Sequence, residues 1–303
     1  WRRLAELFPN VVEVDLSAIR VCTISWLAQL PKLQKLALNA GSLDRQHMQS
    51  LSELRNLRKL KVSELLATDL NELAGLQLAS LALAHCRYLT DVTVLGEHVK
   101  HLEVLKLRDA ASLGDLSVVI QLPALRELKK LKLKHLDLDD LEFLALCPKL
   151  TALNFCGYAD LSTLVAVPEL RSLRLEIIHR GEWRTSEIDL SPLRSLTKLE
   201  RLEMKSGVIR GANLPPLPRL QYLDVSTLDD LRPICDRLLP LSTLIISDYS
   251  VLVRLPKLMF LSVERRDTFR ESDLTLLKSV GRSRPLCVRA TIAPKPPVKS
   301  SVY

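Results

Sequence analysis

The chain is 303 residues long, 47% hydrophobic and 26% charged, a balance that supports a packed core and excludes a natively disordered chain. Its 43 basic and 35 acidic residues leave a formal charge of +8, a bias too mild to imply nucleic acid unless it is concentrated on one surface. No run of about 18 apolar residues is free of charge, which excludes a membrane-spanning helix.

Leucine supplies 68 of the 303 residues, against nine glycines and 4% aromatics. One aliphatic side chain therefore fills most of the interior, as happens when a single structural unit is repeated. From the amino end, Trp1-Arg2-Arg3 opens the chain without a methionine, so a fragment or processed product is expected. Trp1, Leu4 and Leu7 can cap the first of the repeated units, and residues 1–10 are assigned as an N-terminal cap. The pattern LxxLxL, with aliphatic, Met or Phe residues at its spaced places, then begins at Val11, Leu33, Leu57, Leu78, Leu102, Leu128, Leu150, Leu170, Leu199, Leu220, Leu241 and Leu258. These starts lie 17 to 29 residues apart, about 22 on average.

A proline stands two residues before five of the starts, at Pro31, Pro148, Pro168, Pro218 and Pro256. Each match predicts a short strand, and Leu286-Cys287-Val288 marks a degenerate thirteenth. Between strands, spacings such as Ile24/Leu27/Leu30 and Leu70/Leu73/Leu76 predict short helices or helical turns. The repeats are assigned to residues 11–290. Residues 291–303 hold Pro294, Lys295, Pro296, Pro297 and Lys299 and form a proline/lysine-rich tail, either draped loosely or docking as a polyproline segment.

Two landmarks at one spacing resemble the leucine-rich-repeat family, over about residues 8 to 290. The resemblance implies an α/β solenoid of about twelve repeats, a curved horseshoe with a parallel sheet on its concave face. The family's Asn nine places into the unit is missing, replaced by residues such as Ile19, Gly41, Leu65, Cys86, Ala110 and Tyr158, so irregular turns are expected. Leu81 to Asp91 is similar to the cysteine-containing repeat subclass, but one unit does not assign it. Trp1-Arg2-Arg3-Leu4-Ala5 before the repeats is similar to the end of an F-box, the helical ubiquitin-ligase adaptor.

No catalytic constellation is visible: G-x-S-x-G, the phosphate-binding glycine loop and the dinucleotide fingerprint are all missing. His98 and His101 with Glu97 nearby have helical spacing for a metal, but two imidazoles without a third ligand make a weak set. The expectation is a non-enzymatic protein with no catalytic residues, no cofactor and no metal. Six scattered cysteines without a CxxC, and no N-x-S/T sequon, point to an intracellular, reducing location; cytoplasm, nucleus and organelle matrix are not distinguished.

If the register is right, places 3, 5 and 7 of each unit project from the concave sheet, because strand neighbours alternate faces. In the second to eighth units those places hold Lys35, Lys59, Lys61, Lys106, Arg108, Lys130, Lys132, Lys134 and Arg174, against Glu176 alone. In the first and the ninth to twelfth units, Arg201 and Lys205 face Glu13, Asp15, Glu203, Asp224 and Glu264. The basic stripe fits cations that merely keep a long sheet soluble and unpaired, an acidic protein surface or helix, or an RNA backbone. It lacks the interleaved aromatics on which bases stack, and the outward aromatics Tyr222 and Phe260 fall near the carboxyl end. The longest unit extrudes His179 to Glu187, a loop whose Trp183 can either anchor a partner or cover its own repeat.

The expected function is a protein–protein interaction scaffold, a subunit or adaptor in a larger assembly, binding through the concave sheet and the Trp183 loop. The alternative is an RNA-contacting subunit or assembly factor of a ribonucleoprotein particle, and a lesser one is the substrate-recognition part of an F-box-type adaptor. No small-molecule substrate is expected.

Overall fold

The computed structural model describes residues 6–43, 45–97, 101–113, 126–134, 141–157, 160–177, 189–204, 214–225, 243–246, 260–265 and 287–292. The chain divides into two compact units, Trp1–Leu170 and Arg171–Tyr303. The first holds β1 (Glu13–Arg20), β2 (Lys35–Asn39), β3 (Lys59–Ser63), β4 (Ser80–Ala84), β5 (Val104–Arg108), β6 (Lys130–Lys134) and β7 (Ala152–Gly157). The second holds β8 (Ser172–Ile177), β9 (Arg201–Met204), β10 (Tyr222–Val225), β11 (Thr243–Ile246), β12 (Phe260–Arg265) and β13 (Cys287–Ile292). Twelve of these strands coincide with the LxxLxL matches, and β13 falls on the degenerate thirteenth, running two residues past position 290.

Within the first unit every strand pairs in parallel with the next, in a register that stacks like places of the pattern. One column runs Val14, Leu36, Leu60, Leu81, Leu105, Leu131, Leu153 and a second runs Leu16, Leu38, Val62, Leu83, Leu107, Leu133, Phe155. Leu36, Leu38, Leu60, Leu81, Leu83 and Phe155 are among the buried members. Each repeat can bury its leucines only against its neighbours, so the spine is continuous and the residues between these places are forced to the other face. In the second unit, Leu173, Leu202, Leu223, Leu244, Leu261 and Val288 occupy matching register places.

The helical turns that leave the strands are mostly 3-10 rather than α. Leu144, Cys147 and Leu150 donate their N–H groups to the carbonyls of Leu141, Leu144 and Cys147 at 2.9, 2.9 and 3.0 Å. Bonding to the third residue back gives a period of three, so every third side chain points inward. The same spacing buries Ile24, Leu27, Leu30 and Leu33, and again Leu190, Leu193, Leu196 and Leu199. Aspartates start several of these turns. The Asp160 carboxylate accepts from the Ser162 N–H at 2.9 Å, and Asp189 accepts from Ser191 N–H at 2.9 Å.

The turns after β3, β4 and β5 are not irregular, contrary to expectation. Glu64, His85 and Asp109, each eight places into its unit, stand at φ of 58°, 57° and 52°. Their N–H groups donate to the carbonyls of Ala84, Arg108 and Lys134 on the following strands, at 2.9, 2.9 and 3.0 Å. This ladder closes the turn through the backbone, which leaves the ninth place free for a packed side chain. Leu65, Cys86 and Ala110 fill it, all buried. No helix among the described residues is long and apolar enough to cross a membrane.

Candidate functional site

Strand alternation sets the outward face of the first unit. In the parallel register, Lys59 and Lys61 on β3 stand opposite Ser80 and Ala82 on β4, and Ala82 and Ala84 stand opposite Lys106 and Arg108 on β5. Lys106 is opposite Lys132 on β6, and Arg108 is opposite Lys134, while Lys130 is opposite Val104. β4 thus contributes only Ser80, Ala82 and Ala84 to this face, a low lane between two sets of cations whose strands are roughly 10 Å apart.

The cations differ in how they are balanced. Lys35 Nζ lies 2.8 Å from Glu13 Oε2, and Arg108 Nε lies 3.1 Å from Asp109 Oδ2. Among the described residues, no carboxylate comes within 4.0 Å of the Lys59, Lys61, Lys106, Lys130 or Lys134 ammonium groups. On β1, two strands from β3, the Ser17 hydroxyl and backbone N–H hold the Asp15 carboxyl below its ordinary range, with Lys61 adding to the effect. Ion pairs such as Lys129–Glu103 and Lys149–Glu127, each 2.7 Å, precede the strands and leave these five outward lysines uncompensated by them.

In the second unit, Arg174 is committed to a neighbour. Its Nη1 lies 3.0 Å from Glu203 Oε2, and the same carboxylate accepts from Arg201 Nε at 2.6 Å. The Arg201 guanidinium also lies 3.5 Å from the centroid of the Tyr222 ring. Burial raises the Tyr222 hydroxyl pKa, with Asp224 and Glu203 adding to it. Sequence pattern placed Arg174 with the basic stripe, but side-chain geometry makes it part of a neutralised cluster. The outward charge is therefore densest on β5 and β6.

Trp183 and its loop, and Lys205, lie outside the described residues, as does His98 of the histidine pair. Among the described residues no group of three or more His, Cys, Asp or Glu side chains is placed to hold a metal ion. Burial pushes the thiols of Cys86 and Cys147 up, the latter to about 12, so neither is a thiolate at neutral pH.

A further feature escaped the pattern. At the carboxyl ends of β2, β3 and β4, a groove of about 430 Å³ is lined by Gly41, Glu64, Leu65, Leu66, His85, Arg87 and Tyr88. Leu66 and Tyr88 are 52% and 59% exposed. Glu64 is 3.7 Å from Arg20, and His85 Nδ1 is 2.9 Å from Asp109 Oδ2. The runs Glu64-Leu65-Leu66 and His85-Cys86-Arg87-Tyr88 carried the signal, two large apolar residues immediately after strand ends. Only the left-handed turns bring them side by side.

No family model matches the chain, and no curated protein matches it. Solved structures do. An internalin, InlF, from Listeria monocytogenes superposes with a TM-score of 0.56 at 21% identity, covering 98% of this chain and 86% of its own. A chain from the octameric complex of Latrophilin 3, Unc5D and FLRT2, the last designated by its LRR part, superposes with a TM-score of 0.51 at 14% identity, covering 93% and 89%. At such identities the likeness is one of architecture, and it agrees with the repeat spacing, the parallel register and the stacked leucine columns. The fold of this chain is the α/β leucine-rich-repeat solenoid.

Proposed function

We propose that the protein is an interaction scaffold that binds an acidic protein partner across the outward face of β3 to β6. One observation carries the reading: across twelve outward places on these four strands stand seven cations, Lys59, Lys61, Lys106, Arg108, Lys130, Lys132 and Lys134, and no carboxylate. Like charges directly opposite on neighbouring strands destabilise a sheet. Lysines needed only for solubility would be interspersed with acids, as they are at the strand entrances. A stability cost concentrated on one face is the usual mark of a surface kept for binding.

A protein partner is favoured over RNA because the described outward places of β2 to β6 hold no aromatic side chain on which bases could stack. That a chain of similar architecture occurs in a complex with Latrophilin 3 and Unc5D supports the same reading. The reading includes an intracellular address, in keeping with cysteines such as Cys86, Cys147 and Cys156 that serve as buried apolar residues.

The test titrates the full chain with a fluorescein-labelled Glu-rich peptide and, separately, with a single-stranded RNA of equal charge. The peptide is expected to bind at low salt and to weaken at least tenfold in the Lys130/Lys132/Lys134→Glu variant. RNA binding with a steep log-linear salt dependence, without peptide binding, would transfer the face to phosphate contact. Failure of both would show that the cations are not an interface.

A further inference from the structure

The edge groove lies against the proposed binding face. His85, one of its walls, follows Ala84 directly and donates its N–H to the carbonyl of Arg108, a member of the basic stripe, at 2.9 Å. Its volume of about 430 Å³ falls at the lower end of the range of pockets that hold small ligands or single anchoring side chains. Three of its lining residues are largely apolar: Leu65 is buried, and Leu66 and Tyr88 present 52% and 59% of their surface. In a chain whose aromatics amount to 4%, an exposed tyrosine lining the same groove as an exposed leucine is an unusual use of apolar surface.

The rim is polar and unevenly balanced. Glu64 has Arg20 beside it and His85 has Asp109, whereas Arg87 has no carboxylate partner among the described residues. Gly41 completes the groove, because a Cβ there would meet Glu64 Oε2 at 2.7 Å and force that side chain to move. Among the charged side chains that line the groove, Arg87 is thus the one without an opposite charge beside it among the described residues, and the turn that carries it leaves β4, whose outward places stand opposite Lys106 and Arg108.

We infer that this groove is the anchor pocket for the partner of the basic face: it takes one leucine- or phenylalanine-sized side chain from an acidic peptide segment, with Arg87 holding a neighbouring carboxylate. The inference rests on the proposed function, since it names what the acidic partner must carry. Lysines on the sheet supply nonspecific attraction, and the groove supplies selectivity, as a buried apolar anchor ringed by polar residues does at protein interfaces.

Two fluorescein-labelled probes separate the levels: an Asp/Glu-rich peptide with one central phenylalanine and the same peptide with alanine there. Fluorescence anisotropy on the full chain is expected to show the phenylalanine peptide binding about tenfold more tightly, a factor that corresponds to about 1.4 kcal/mol. In a Leu66→Ser/Tyr88→Ala variant the two peptides should bind alike. Both residues are largely exposed, so the variant retains its fold, which its thermal melt verifies. Arg87→Glu should weaken the phenylalanine peptide by a similar factor. In the Lys130/Lys132/Lys134→Glu variant both peptides should weaken together while their ratio stays. Equal binding of the two peptides to the unmodified chain would overturn the groove inference and leave the basic face standing. A preference that survives in Leu66→Ser/Tyr88→Ala would overturn it too, and binding of neither peptide would sink both readings.

Discussion

His85 Nδ1 lies 2.9 Å from Asp109 Oδ2, and the two residues occupy the same place in consecutive repeats, both with left-handed backbone at φ of 57° and 52°. Both sit on the backbone turn ladder, whose left-handed places hold Glu64, His85 and Asp109 and no glycine. An L-residue in this region carries a steric cost that asparagine tolerates and β-branched residues do not. His85→Val is therefore expected to destabilise the fold by about 1–2 kcal/mol more than His85→Asn. Urea denaturation midpoints of the two variants check this, and equal midpoints would refute the steric argument.

Lys106 stands directly opposite Lys132, with no acid on the same face of β3 to β6. Lys106→Glu should raise stability by a few tenths of a kcal/mol and at most about 1. The gain should shrink at high salt, where charges are screened over only about 3 Å at 1 M. Thermal melts at two ionic strengths measure it, and the same variant should bind the acidic peptides more weakly.

Glu203 is 7% exposed and accepts from both Arg174 and Arg201. Glu203→Ala removes the shared carboxylate and leaves two half-buried guanidinium groups facing each other. The expected cost is about 1–3 kcal/mol, because each arginine keeps some access to water. A double variant that also carries Arg174→Met should recover part of the loss in denaturant titrations.

The Ser162 backbone N–H and then its hydroxyl hold the Asp160 carboxyl below its ordinary value of 3.8. A depressed folded-state pKa means the contribution is present above the unfolded value and lost as pH falls through the folded one. Asp160→Ala should cost about 1 kcal/mol at neutral pH, typical of a lost cap. The gap to the unmodified chain should narrow below about pH 4, as protonation weakens the carboxylate's hydrogen bonds. Chemical denaturation from pH 7 down to pH 3 follows it.

Cys22 is exposed, whereas Cys86, Cys147 and Cys156 are buried, and burial raises the Cys147 pKa to about 12. Iodoacetamide at pH 8 should label Cys22 in the native protein and reach Cys147 only after unfolding, because the thiolate is the reactive form. Peptide mass spectrometry before and after denaturant distinguishes these cases; rapid native labelling of Cys147 would contradict its buried placement.

The leucine pattern was enough to place every described strand and to say which residues face inward, because a side chain such as Leu81 or Leu105 has one way to leave water when its neighbours repeat the same spacing. Period also predicted the connecting turns, though reading Ile24/Leu27/Leu30 as generic helical spacing missed that an interval of three selects 3-10 bonding. What one dimension could not supply was the balance of charge and the edge of the sheet. Arg174 and Lys59 look alike as outward cations in the pattern, yet Glu203 on the adjacent strand neutralises the first and no described carboxylate reaches the second. Leu66 and Tyr88 lie 22 residues apart in the chain, and they share a groove because left-handed turns at Glu64 and His85 carry both past the strand ends. Burial of apolar periodicity is a local property summed over repeats, whereas ion pairing and groove formation depend on which side chains the stacking brings across from one strand to the next.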